Sequence, residues 1–383
     1  MSKRQAAAVT ATGVVLILST LAILVFAFRG AIPAFVPPGQ DIAELIRSGA
    51  SPLSAPEDVR ISIFSDDLEK PRDLLAVNDR WLLVSEMGAG RITAFDRTTG
   101  SLKPVIDNLN TPHGLTMHCI EDGCRLYVAE TARVSSYYFN PDTAEADFDR
   151  ELVSLPGPGG HFTRSLLLPD DSTLLISVGS SCNVCIEDDY RRAAVLSYDL
   201  QEGTLNEYAT GLRNSVFLTK RPGTDEIWAT DNGRDNLGDD LPPDEVNIIT
   251  AADYGWPFCY GDRITDTTFS SPGDFSCNDT QGSQIDLQAH SAALGLGFFG
   301  PEWSEYQGDL LVAYHGSWNR SIPTGYKLVR FDLDASSLEP EDFITGWLSD
   351  FTAIGRPVDI EFAGGDMYVS DDHAGVIYLI RPD

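Results

Sequence analysis

The stretch that decides the fold is Leu-Leu-Val-Ser-Glu at residues 82–86. It is a short aliphatic run closed by a polar side chain, as expected for a buried β-strand. Related strings recur along the chain: Leu-Tyr-Val-Ala-Glu (126–130), Leu-Leu-Ile-Ser-Val-Gly (174–179), Ile-Trp-Ala-Thr-Asp (227–231), Leu-Leu-Val-Ala-Tyr-His (310–315) and Met-Tyr-Val-Ser-Asp (367–371). Six such strings indicate a repeated structural unit.

The repeated unit contains more than one strand. Each string follows another apolar strand at a short interval, and most precede a third, such as Ile-Thr-Ala-Phe-Asp at 92–96. Units of about 40 to 55 residues, one of them enlarged by an insertion, are typical of β-propeller blades. We therefore predict an all-β fold, a six-bladed β-propeller, with a β-sandwich that has long loops as the alternative.

The N-terminal segment differs from the rest of the chain. Residues 6–28 carry no charge, and as a helix they are long enough to cross a hydrocarbon core of about 30 Å. Lys3 and Arg4 precede this segment, which favours a cytoplasmic amino terminus. The sequence therefore predicts an N-terminal transmembrane helix that acts as an uncleaved signal anchor. A cleaved signal peptide is the alternative.

These observations divide the chain into three parts. We predict a cytoplasmic tip with the transmembrane signal anchor at residues 1–29, a linker at 30–55 and the propeller at 56–383. The linker contains the Pro-rich stretch 33–39, which indicates an extended spacer. The propeller is then membrane-anchored by a single pass and lies outside the cytoplasm, in the periplasm or the extracellular space.

The charge of the chain restricts its partners. Lys and Arg total 27 against 57 Asp and Glu, which gives a net charge of −30. A protein this acidic repels nucleic acids and anionic membrane surfaces. A nucleic-acid partner is therefore excluded from our prediction.

The cysteines are closely spaced in pairs. The pairs are Cys119 with Cys124, Cys182 with Cys185, and Cys259 with Cys277. The even number favours disulfides formed in an oxidising compartment, with free thiols as the alternative. The C-x-x-C at Cys182 has no second C-x-x-C for a zinc site and no following His for haem attachment.

Polar residues mark one end of the predicted blades. The first strands begin near Arg72, His113, His161, Arg213, His290 and Arg356, and the second strands end at Glu86, Glu130, Ser180, Asp231, His315 and Asp371. In an antiparallel hairpin these positions lie at the same end, so all twelve face one mouth of the propeller. Three arginines and four of the six histidines meet there, which predicts a cationic pocket for a polyanionic ligand. Turn-forming and strand-capping roles are the alternative.

Several strings at these blade positions carry a family resemblance, which extends from Pro71 to Pro382. They are Gly-Gly-His-Phe-Thr-Arg (159–164), Gly-Leu-Arg-Asn (211–214), Asp-Glu-Val-Asn (244–247), Tyr-Gly-Trp-Pro (254–257), His-Gly-Ser-Trp-Asn-Arg (315–320) and Gly-Arg-Pro-Val (355–358). The chain resembles the soluble glucose and sorbosone dehydrogenases that depend on pyrroloquinoline quinone (PQQ), and within them the L-sorbosone dehydrogenase-like branch.

The resemblance implies a function. A six-bladed propeller of this family binds PQQ and calcium and oxidises an aldose sugar or a related aldehyde or alcohol. The hydride passes to the quinone, and the electrons then pass to an acceptor, here a membrane quinone or a cytochrome. We expect this reaction on the outer face of the membrane.

The resemblance also assigns two catalytic residues. His161 matches the family's catalytic base, and neutral imidazole is suited to taking a hydroxyl proton near pH 7. Arg213 is assigned to the oxygen on which negative charge grows as the hydride is transferred. Asn214 lies beside it as a hydrogen-bond donor to the cofactor.

Further residues are assigned to the cofactor. PQQ carries three carboxylates, which Arg can hold through paired hydrogen bonds. Arg356 matches a cofactor-binding Arg of the family, and His315 falls where better-studied relatives have a Lys. We also assign His290 and Arg234 to cofactor binding.

The calcium ligands follow from the same resemblance. In the family, two successive backbone carbonyls hold the ion that touches the quinone, and they correspond to Gly233 and Arg234. Glu245 and Tyr254 match positions of a second, structural calcium site. Carboxylate and carbonyl oxygens are the ligands that calcium prefers.

The chain departs from the family pattern at three positions. Ser180 stands where relatives have an Asp that orients the catalytic His, and Val358 replaces a second cofactor-binding Arg. With His315 in place of Lys, less charge is available for the three carboxylates. The insertion between residues 258 and 288 is expected to shape the substrate entrance.

Two other functions are compatible with a propeller of this type. One is a calcium-dependent lactonase or esterase, although Arg213 and Arg356 stand where a hydrolytic calcium needs carboxylates. The other is a non-catalytic binding propeller in the cell envelope, for which the loss of the orienting Asp is the main argument.

Overall fold

The computed structural model describes residues 41–120, 122–157 and 159–383. Within these residues, six four-stranded antiparallel sheets are arranged so that each innermost strand contacts those of the two neighbouring sheets. Two short hairpins accompany them. The predicted all-β, six-bladed β-propeller is therefore confirmed.

The first elements of the chain are the helix α1 (Ile42–Arg47) and the strand β1 (Val59–Ser65). Blades 1 to 3 follow, each listed from its innermost to its outermost strand. Blade 1 contains β2 (Pro71–Ala76), β3 (Trp81–Glu86), β4 (Arg91–Asp96) and β5 (Leu102–Ile106). Blade 2 contains β6 (Pro112–Ile120), β7 (Gly123–Glu130), β8 (Arg133–Asn140) and β9 (Glu145–Ser154). Blade 3 contains β10 (Arg164–Leu167), β11 (Thr173–Val178), β12 (Ala194–Asp199) and β13 (Leu205–Thr210).

The remaining blades include the two short hairpins. Blade 4 contains β14 (Ser215–Lys220), β15 (Ile227–Asp231), β16 (Glu245–Ile248) and β19 (Ile285–Asp286), and its insertion holds β17 (Cys259–Tyr260), β18 (Ile264–Thr265) and a 3-10 turn (Cys277–Asp279). Blade 5 contains β20 (Ala293–Phe298), β21 (Leu310–Tyr314), β22 (Lys327–Phe331) and β23 (Glu341–Ile344), followed by the hairpin β24 (Leu348–Ser349) and β25 (Thr352–Ala353). Blade 6 contains β26 (Pro357–Ala363), β27 (Asp366–Asp371), β28 (Val376–Pro382) and β1.

Blade 6 closes the ring because it takes its outermost strand from the beginning of the domain. β1 pairs with β28 from Val59 opposite Pro382 to Ser65 opposite Ile377. Hydrogen bonds between the two ends of the domain thus hold the first and last blades together. Full closure leaves no open side through which the inner strands would be exposed.

Part of the predicted linker packs against the propeller. α1 begins after Asp41, whose side chain accepts a hydrogen bond of 2.8 Å from the backbone N–H of Ala43. Ile42 and Ala43 are buried in the hydrophobic cluster of blades 5 and 6, which includes Trp303 and Trp347. Residues 41–47 are therefore held against the domain.

The apolar segment at residues 6–28 lies outside the described residues, so the membrane anchor stays a prediction. In the described part of the chain, no helix combines the length and the apolar composition needed to span a bilayer.

The three expected disulfides are present. They are Cys119–Cys124, Cys182–Cys185 and Cys259–Cys277. The first joins β6 to β7 at the turn of their hairpin, the second lies in the loop between β11 and β12, and the third closes the insertion of blade 4.

Buried carboxylates on the inner strands link neighbouring blades. Asp359 accepts a hydrogen bond of 2.8 Å from the backbone N–H of Leu74, and Glu361 accepts one of 2.8 Å from that of Ala76. Asp73 bonds in the same way to blade 2. Each carboxylate satisfies an N–H group that the inner strand cannot pair within its own sheet. Burial raises the pKa of Asp359 to about 7 and that of Glu361 to about 8.

The raised pKa values predict a pH dependence of stability. The folded state keeps protons on Asp359 and Glu361 that the unfolded chain loses above about pH 4. The stability that these protons contribute is present below that pH and is lost as the pH rises through the two folded-state pKa values. We expect the midpoint of thermal unfolding to fall between about pH 6 and about pH 9, and to fall less in an Asp359→Asn/Glu361→Gln variant.

The matched control is Glu202→Gln, which alters an exposed carboxylate outside the inner strands. Thermal unfolding followed by circular dichroism across this pH range makes the comparison. An equal fall in the double variant and in the control would contradict the assignment.

Candidate active site

The starts of the first strands and the ends of the second strands lie at one mouth, as expected. Pro71 pairs with Glu86, and Pro357 pairs with Asp371, at the ends of their hairpins. The same pairing in the other blades gives one face where the twelve polar positions are located.

Four carboxylates at this face have a capping role. Each accepts a hydrogen bond from the backbone N–H of a residue that leads into the innermost strand of the same blade. The pairs are Glu86 with Glu69 (3.1 Å), Glu130 with Asn110 (2.5 Å), Asp231 with Arg213 (3.0 Å) and Asn214 (2.6 Å), and Asp371 with Arg356 (2.9 Å). The strand-capping alternative is therefore correct for these four positions.

A cavity of about 270 Å³ lies at this face. Its lining includes six of the residues that the sequence predicts at this mouth or in the catalytic and cofactor site, namely Arg72, His161, Arg213, Asn214, His290 and His315. Gly233 also lines it, as do the exposed aromatic side chains of Phe162 and Trp318.

The cavity is less cationic than the sequence predicts. Besides the guanidinium groups of Arg72 and Arg213, the lining contains two carboxylates, on Asp235 and Asp244. Arg213 lies 3.5 Å from Asp235, and Arg72 forms an ion pair of 2.7 Å with Asp372 just behind the wall. Each arginine is thus partly neutralised, and its ion pair restricts the direction of its guanidinium group.

His161 is oriented by Ser180. Its Nδ1 lies 2.9 Å from the Ser180 hydroxyl and 3.2 Å from the Ser180 carbonyl oxygen. The hydroxyl donates its own hydrogen to the carbonyl of Cys182 at 2.7 Å, so towards His161 it can only accept. His161 therefore carries its proton on Nδ1, and Nε2 has a free lone pair.

The imidazole of His161 is neutral at pH 7. Burial, with the positive charge of Arg213 as the second cause, lowers the pKa of His161 to about 3. Ser180 supplies no negative charge that would stabilise imidazolium. An anion bound in the cavity would raise this pKa, because a nearby negative charge favours the protonated ring.

Two buried arginines hold the loop that carries His161. Arg164 donates to the carbonyl oxygens of His161 (3.0 Å) and Pro156 (3.1 Å). Arg192 donates to the carbonyl oxygen of Gly157 at 2.6 Å. The loop lacks strand pairing, so its backbone carbonyl oxygens need other hydrogen-bond donors. The two arginines provide these donors and thereby fix the position of His161.

Arg213 is held by carbonyl and amide oxygens. Its Nε and Nη2 donate to the backbone and side-chain oxygens of Asn183, each at 3.0 Å, and its Nη1 donates to the carbonyl of Asn232 at 3.1 Å. The residue is 5% exposed, and the guanidinium lies at the cavity wall.

His315 is paired with Asp372. Its Nε2 lies 2.8 Å from one carboxylate oxygen, and the other accepts the hydrogen bond from Arg72. Burial alone acts to raise the pKa of Asp372, but the hydrogen bond from His315 and the charge of Arg72 hold it below its usual range. Asp372 therefore stays ionised and joins His315 to Arg72.

His290 lines the cavity with both ring nitrogens already engaged. Nε2 donates to the carbonyl oxygens of Gly238 (2.9 Å) and Leu241 (3.0 Å), and Nδ1 lies 3.3 Å from the amide nitrogen of Asn319. The ring holds the loop 238–241 and presents no free nitrogen to a ligand.

Arg356 and Arg234 are not part of the cavity lining. Arg356 donates to the carbonyl oxygen of Gly316 at 2.9 Å and stacks over the ring of Tyr326 at 4.8 Å. Arg234 forms an ion pair of 2.6 Å with Asp266. Both guanidinium groups bond to other residues of the protein, and cofactor binding by these two residues stays a prediction.

A second, much smaller cavity holds the four predicted metal positions. Its volume is about 20 Å³, enough for one water molecule or one ion. Its lining includes Gly233, Arg234, Glu245 and Tyr254, together with Asp231 and Asp266. Gly233, Arg213 and Asn232 line both cavities and form the wall between them.

Two of the three carboxylates that line the small cavity face each other on adjacent strands, with Asp231 opposite Glu245. Burial raises the pKa of Asp231 to about 7, and burial together with the charge of Asp231 raises that of Glu245 to about 8. Two buried carboxylates side by side are costly to ionise together, and the charge of Arg213 offsets only part of this cost at Asp231. A cation between them would remove this cost, which is in line with the second, structural calcium predicted at Glu245 and Tyr254.

Comparison with known proteins places the chain in a family. The sequence profile described as TrAA12-like matches residues 53–383. The chain belongs to the TrAA12-like family. This confirms the relationship to PQQ-dependent sugar dehydrogenases, while the sorbosone dehydrogenase-like branch stays a prediction.

Two relatives of this TrAA12-like chain are informative. An uncharacterized protein of Borreliella burgdorferi is 29% identical over 349 residues, which cover 86% of this chain and 91% of that protein. A pyrroloquinoline quinone-dependent pyranose dehydrogenase of Coprinopsis cinerea is 27% identical over 397 residues and 84% of this chain. The chain spans only about half, 53%, of the length of that enzyme.

Solved structures share the fold. The holo PQQ domain of the Coprinopsis cinerea pyranose dehydrogenase superposes with a TM-score of 0.71 at 24% identity, covering 86% of this chain and 97% of that one. A calcium structure of family AA12 from Trichoderma reesei gives a TM-score of 0.72 at 23% identity, with coverage of 86% and 97%.

Several residues of the TrAA12-like site were missed by the sequence analysis. They are Asn183, Asp235, Asp244, Asp372, Phe162 and Trp318. Phe162 and Trp318 lie within the strings 159–164 and 315–320, which carry the family resemblance. An aromatic residue close to a predicted site residue in these strings could therefore have indicated a place in the site. Asn183 and Asp372 had no signal, because their partners lie 30 and 57 residues away in sequence.

Gly179 provides a test of the packing around His161. A Cβ atom there would lie 2.5 Å from Asn214 Oδ1 and 2.6 Å from His161 Cβ. We expect Gly179→Ala to destabilise the fold by about 1 to 3 kcal/mol, because both neighbours are fixed by hydrogen bonds and cannot move freely. Chemical denaturation measures the change.

Gly273→Ala is the matched control, since no atom lies within 4 Å of its added Cβ. Equal stability of both variants would show that the residues around Gly179 can shift without cost.

Proposed function

We propose that this protein is a PQQ-dependent, calcium-requiring dehydrogenase that oxidises an aldose sugar or a related aldehyde or alcohol by hydride transfer to the quinone. One observation carries the proposal: His161 Nε2 is free to accept a proton in the same cavity that Arg213 lines. The family membership supports it.

The residues of the larger cavity fit an anionic cofactor with carbonyl groups. His315 lines it with its Nε2–H already donated to Asp372, while Arg72, Arg213 and Asn214 line it as donors. These are the residues that would hold PQQ. When bound, PQQ supplies a carbonyl carbon that accepts a hydride.

His161 acts as the general base. A substrate hydroxyl gives its proton to Nε2 as its carbon gives up the hydride, and the positive charge then spreads over the ring. Ser180 holds the ring in the productive tautomer by accepting from Nδ1, although it stabilises imidazolium less than an aspartate does. The negative charge of the bound cofactor compensates for part of this difference.

Arg213 stabilises developing negative charge. Its guanidinium is fixed by three hydrogen bonds to Asn183 and Asn232, so little reorganisation is needed when charge grows beside it. Asn214 stands next to it with its amide in the cavity lining.

Calcium fits the smaller cavity. Asp231 and Glu245 offer carboxylate oxygens, and Gly233 and Tyr254 lie in the same lining. The ion would neutralise two buried carboxylates that otherwise retain protons. Because Gly233 also lines the larger cavity, an ion here would stiffen the wall of the cofactor site.

The remaining parts of the proposal concern the location and the acceptor. Residues 6–28 would anchor the protein in the membrane with the propeller outside the cytoplasm. A membrane quinone or a cytochrome would then be within reach as the electron acceptor.

The first test follows the quinone absorbance of the full-length protein in detergent with calcium and PQQ. Adding glucose, other aldoses and sorbosone in turn should bleach the bound quinone with at least one of them. His161→Ala should retain the cofactor but slow bleaching by about 100-fold or more, because the base is lost.

Two results would contradict the proposal. If PQQ does not bind at high calcium, the altered positions Val358 and His315 have removed the cofactor site. If the protein with calcium alone hydrolyses lactones or esters, the hydrolase alternative takes its place.

A second test addresses calcium. Chelation with EDTA should lower the midpoint of thermal unfolding, and added calcium should restore it. Glu245→Gln should abolish most of this gain, because it removes a charged ligand from the small cavity. Asp225→Asn, a fully exposed surface change, serves as the control and should keep the calcium response. A full response in Glu245→Gln would exclude this cavity as the site.

A third test addresses the sugar. Trp318 is 74% exposed and lines the mouth of the cavity, where an aromatic face suits the apolar face of a sugar ring. We expect Trp318→Ala to raise KM by about tenfold with little change in kcat, since it removes uniform binding. Phe351→Ala, an equally exposed aromatic outside the cavity, should leave both constants unchanged. The same KM in Trp318→Ala and the wild type would contradict a role in substrate binding.

A further inference from the structure

We infer that the disulfide-closed loop Cys182–Cys185 positions both functional groups of the cavity, with Asn183 as the positioning residue for Arg213. The inference rests on the proposed function, because it assigns roles to His161 and Arg213. The loop itself does not line the cavity.

Asn183 bonds to Arg213 through two atoms. Its backbone carbonyl accepts from Nε and its side-chain oxygen accepts from Nη2, each at 3.0 Å. Two parallel bonds along one edge of the guanidinium fix both its place and its rotation. A single contact would leave the planar group free to turn.

The Asn183 side chain is itself held on the opposite side. Its oxygen also accepts from the backbone N–H of Asp235 at 2.8 Å, and its Nδ2 donates to the Asp235 carbonyl at 3.1 Å. Asp235 in turn accepts from Asn319 at 2.7 Å. The amide therefore uses its acceptor and its donor at once, which an ionised aspartate does not reproduce.

The same loop reaches His161. The carbonyl oxygen of Cys182 accepts the hydroxyl hydrogen of Ser180 at 2.7 Å. This bond makes the hydroxyl an acceptor towards His161 Nδ1 and so selects the tautomer with a free Nε2. Consecutive residues of one loop thus set the protonation pattern of His161 and the direction of Arg213.

The disulfide supplies the rigidity that the loop otherwise lacks. Between the end of β11 at Val178 and the start of β12 at Ala194 there is no regular secondary structure. Cys182 and Cys185 lie only three residues apart, so their bridge fixes the backbone around Asn183. Without it, the two carbonyl oxygens that face Ser180 and Arg213 become free to move.

The test compares the Cys182–Cys185 disulfide with another disulfide of the chain, Cys119–Cys124. Cys182→Ser/Cys185→Ser opens the loop, and Asn183→Ala removes the side-chain bonds. The matched control is Cys119→Ser/Cys124→Ser, which opens another short-range bridge, with a sequence separation of 5 against 3, in the β6–β7 hairpin at the end away from the cavity. Asn183→Asp keeps the size of the side chain and its acceptor, but removes the donor to Asp235.

For sugar oxidation we expect kcat to fall about tenfold or more in Cys182→Ser/Cys185→Ser and in Asn183→Ala, with KM for the sugar nearly unchanged. Asn183→Asp should recover part of kcat, and the control pair should match the wild type. An equal loss in both cysteine pairs, or an unchanged kcat in Asn183→Ala, would overturn the inference.

A second readout uses the protein without cofactor. The Nε–H of Arg213, observed by NMR and assigned with Arg213→Lys, should exchange slowly with solvent in the wild type and the control pair. It should exchange faster in Asn183→Ala and in Cys182→Ser/Cys185→Ser. If the wild type shows no quinone-dependent oxidation but this exchange pattern holds, the proposed function fails and the positioning role stands. Unchanged exchange in the two loop variants would overturn the positioning role itself.

Discussion

The requirement that buried backbone N–H groups find acceptors governs the mouth of this propeller. Every innermost strand starts there, and the residues leading into it cannot all pair within a sheet. Glu86, Glu130, Asp231 and Asp371 meet this requirement in four blades. With the backbone fixed in this way, neighbouring side chains such as Arg213 and Asn214 are held at the cavity with little freedom.

The cavity obtains its positive groups in an acidic protein by pairing each of them locally. Arg72 bonds to Asp372, and Arg213 lies beside Asp235. The pairing lowers the net charge of the lining but fixes the donors in place. Binding in this site therefore depends more on the direction of the hydrogen-bond donors than on a positive electrostatic potential. His161 follows the same logic, since Ser180 fixes its tautomer without adding charge.

The sequence predicted the fold and the location of the site well, because both follow from local patterns. Six strand strings define the blades, and antiparallel pairing brings His161 and Arg213 to one face. Side-chain direction was not predictable. Arg356 turns towards Tyr326, and the predicted charge of the cavity missed Asp235. Such directions depend on contacts between blades that are distant in sequence.

Ring closure by β1 and β28 bears on the order of folding. The hydroxyl of Ser62 bonds to the carbonyl of Leu379, a separation of 317 residues. A contact so distant in sequence carries a large entropic cost and forms late. During synthesis from the amino terminus, β1 waits unpaired until the last strand has been made. The enclosed cavity therefore belongs only to the finished chain, and a polypeptide interrupted before blade 6 leaves both β1 and blade 1 without their partners.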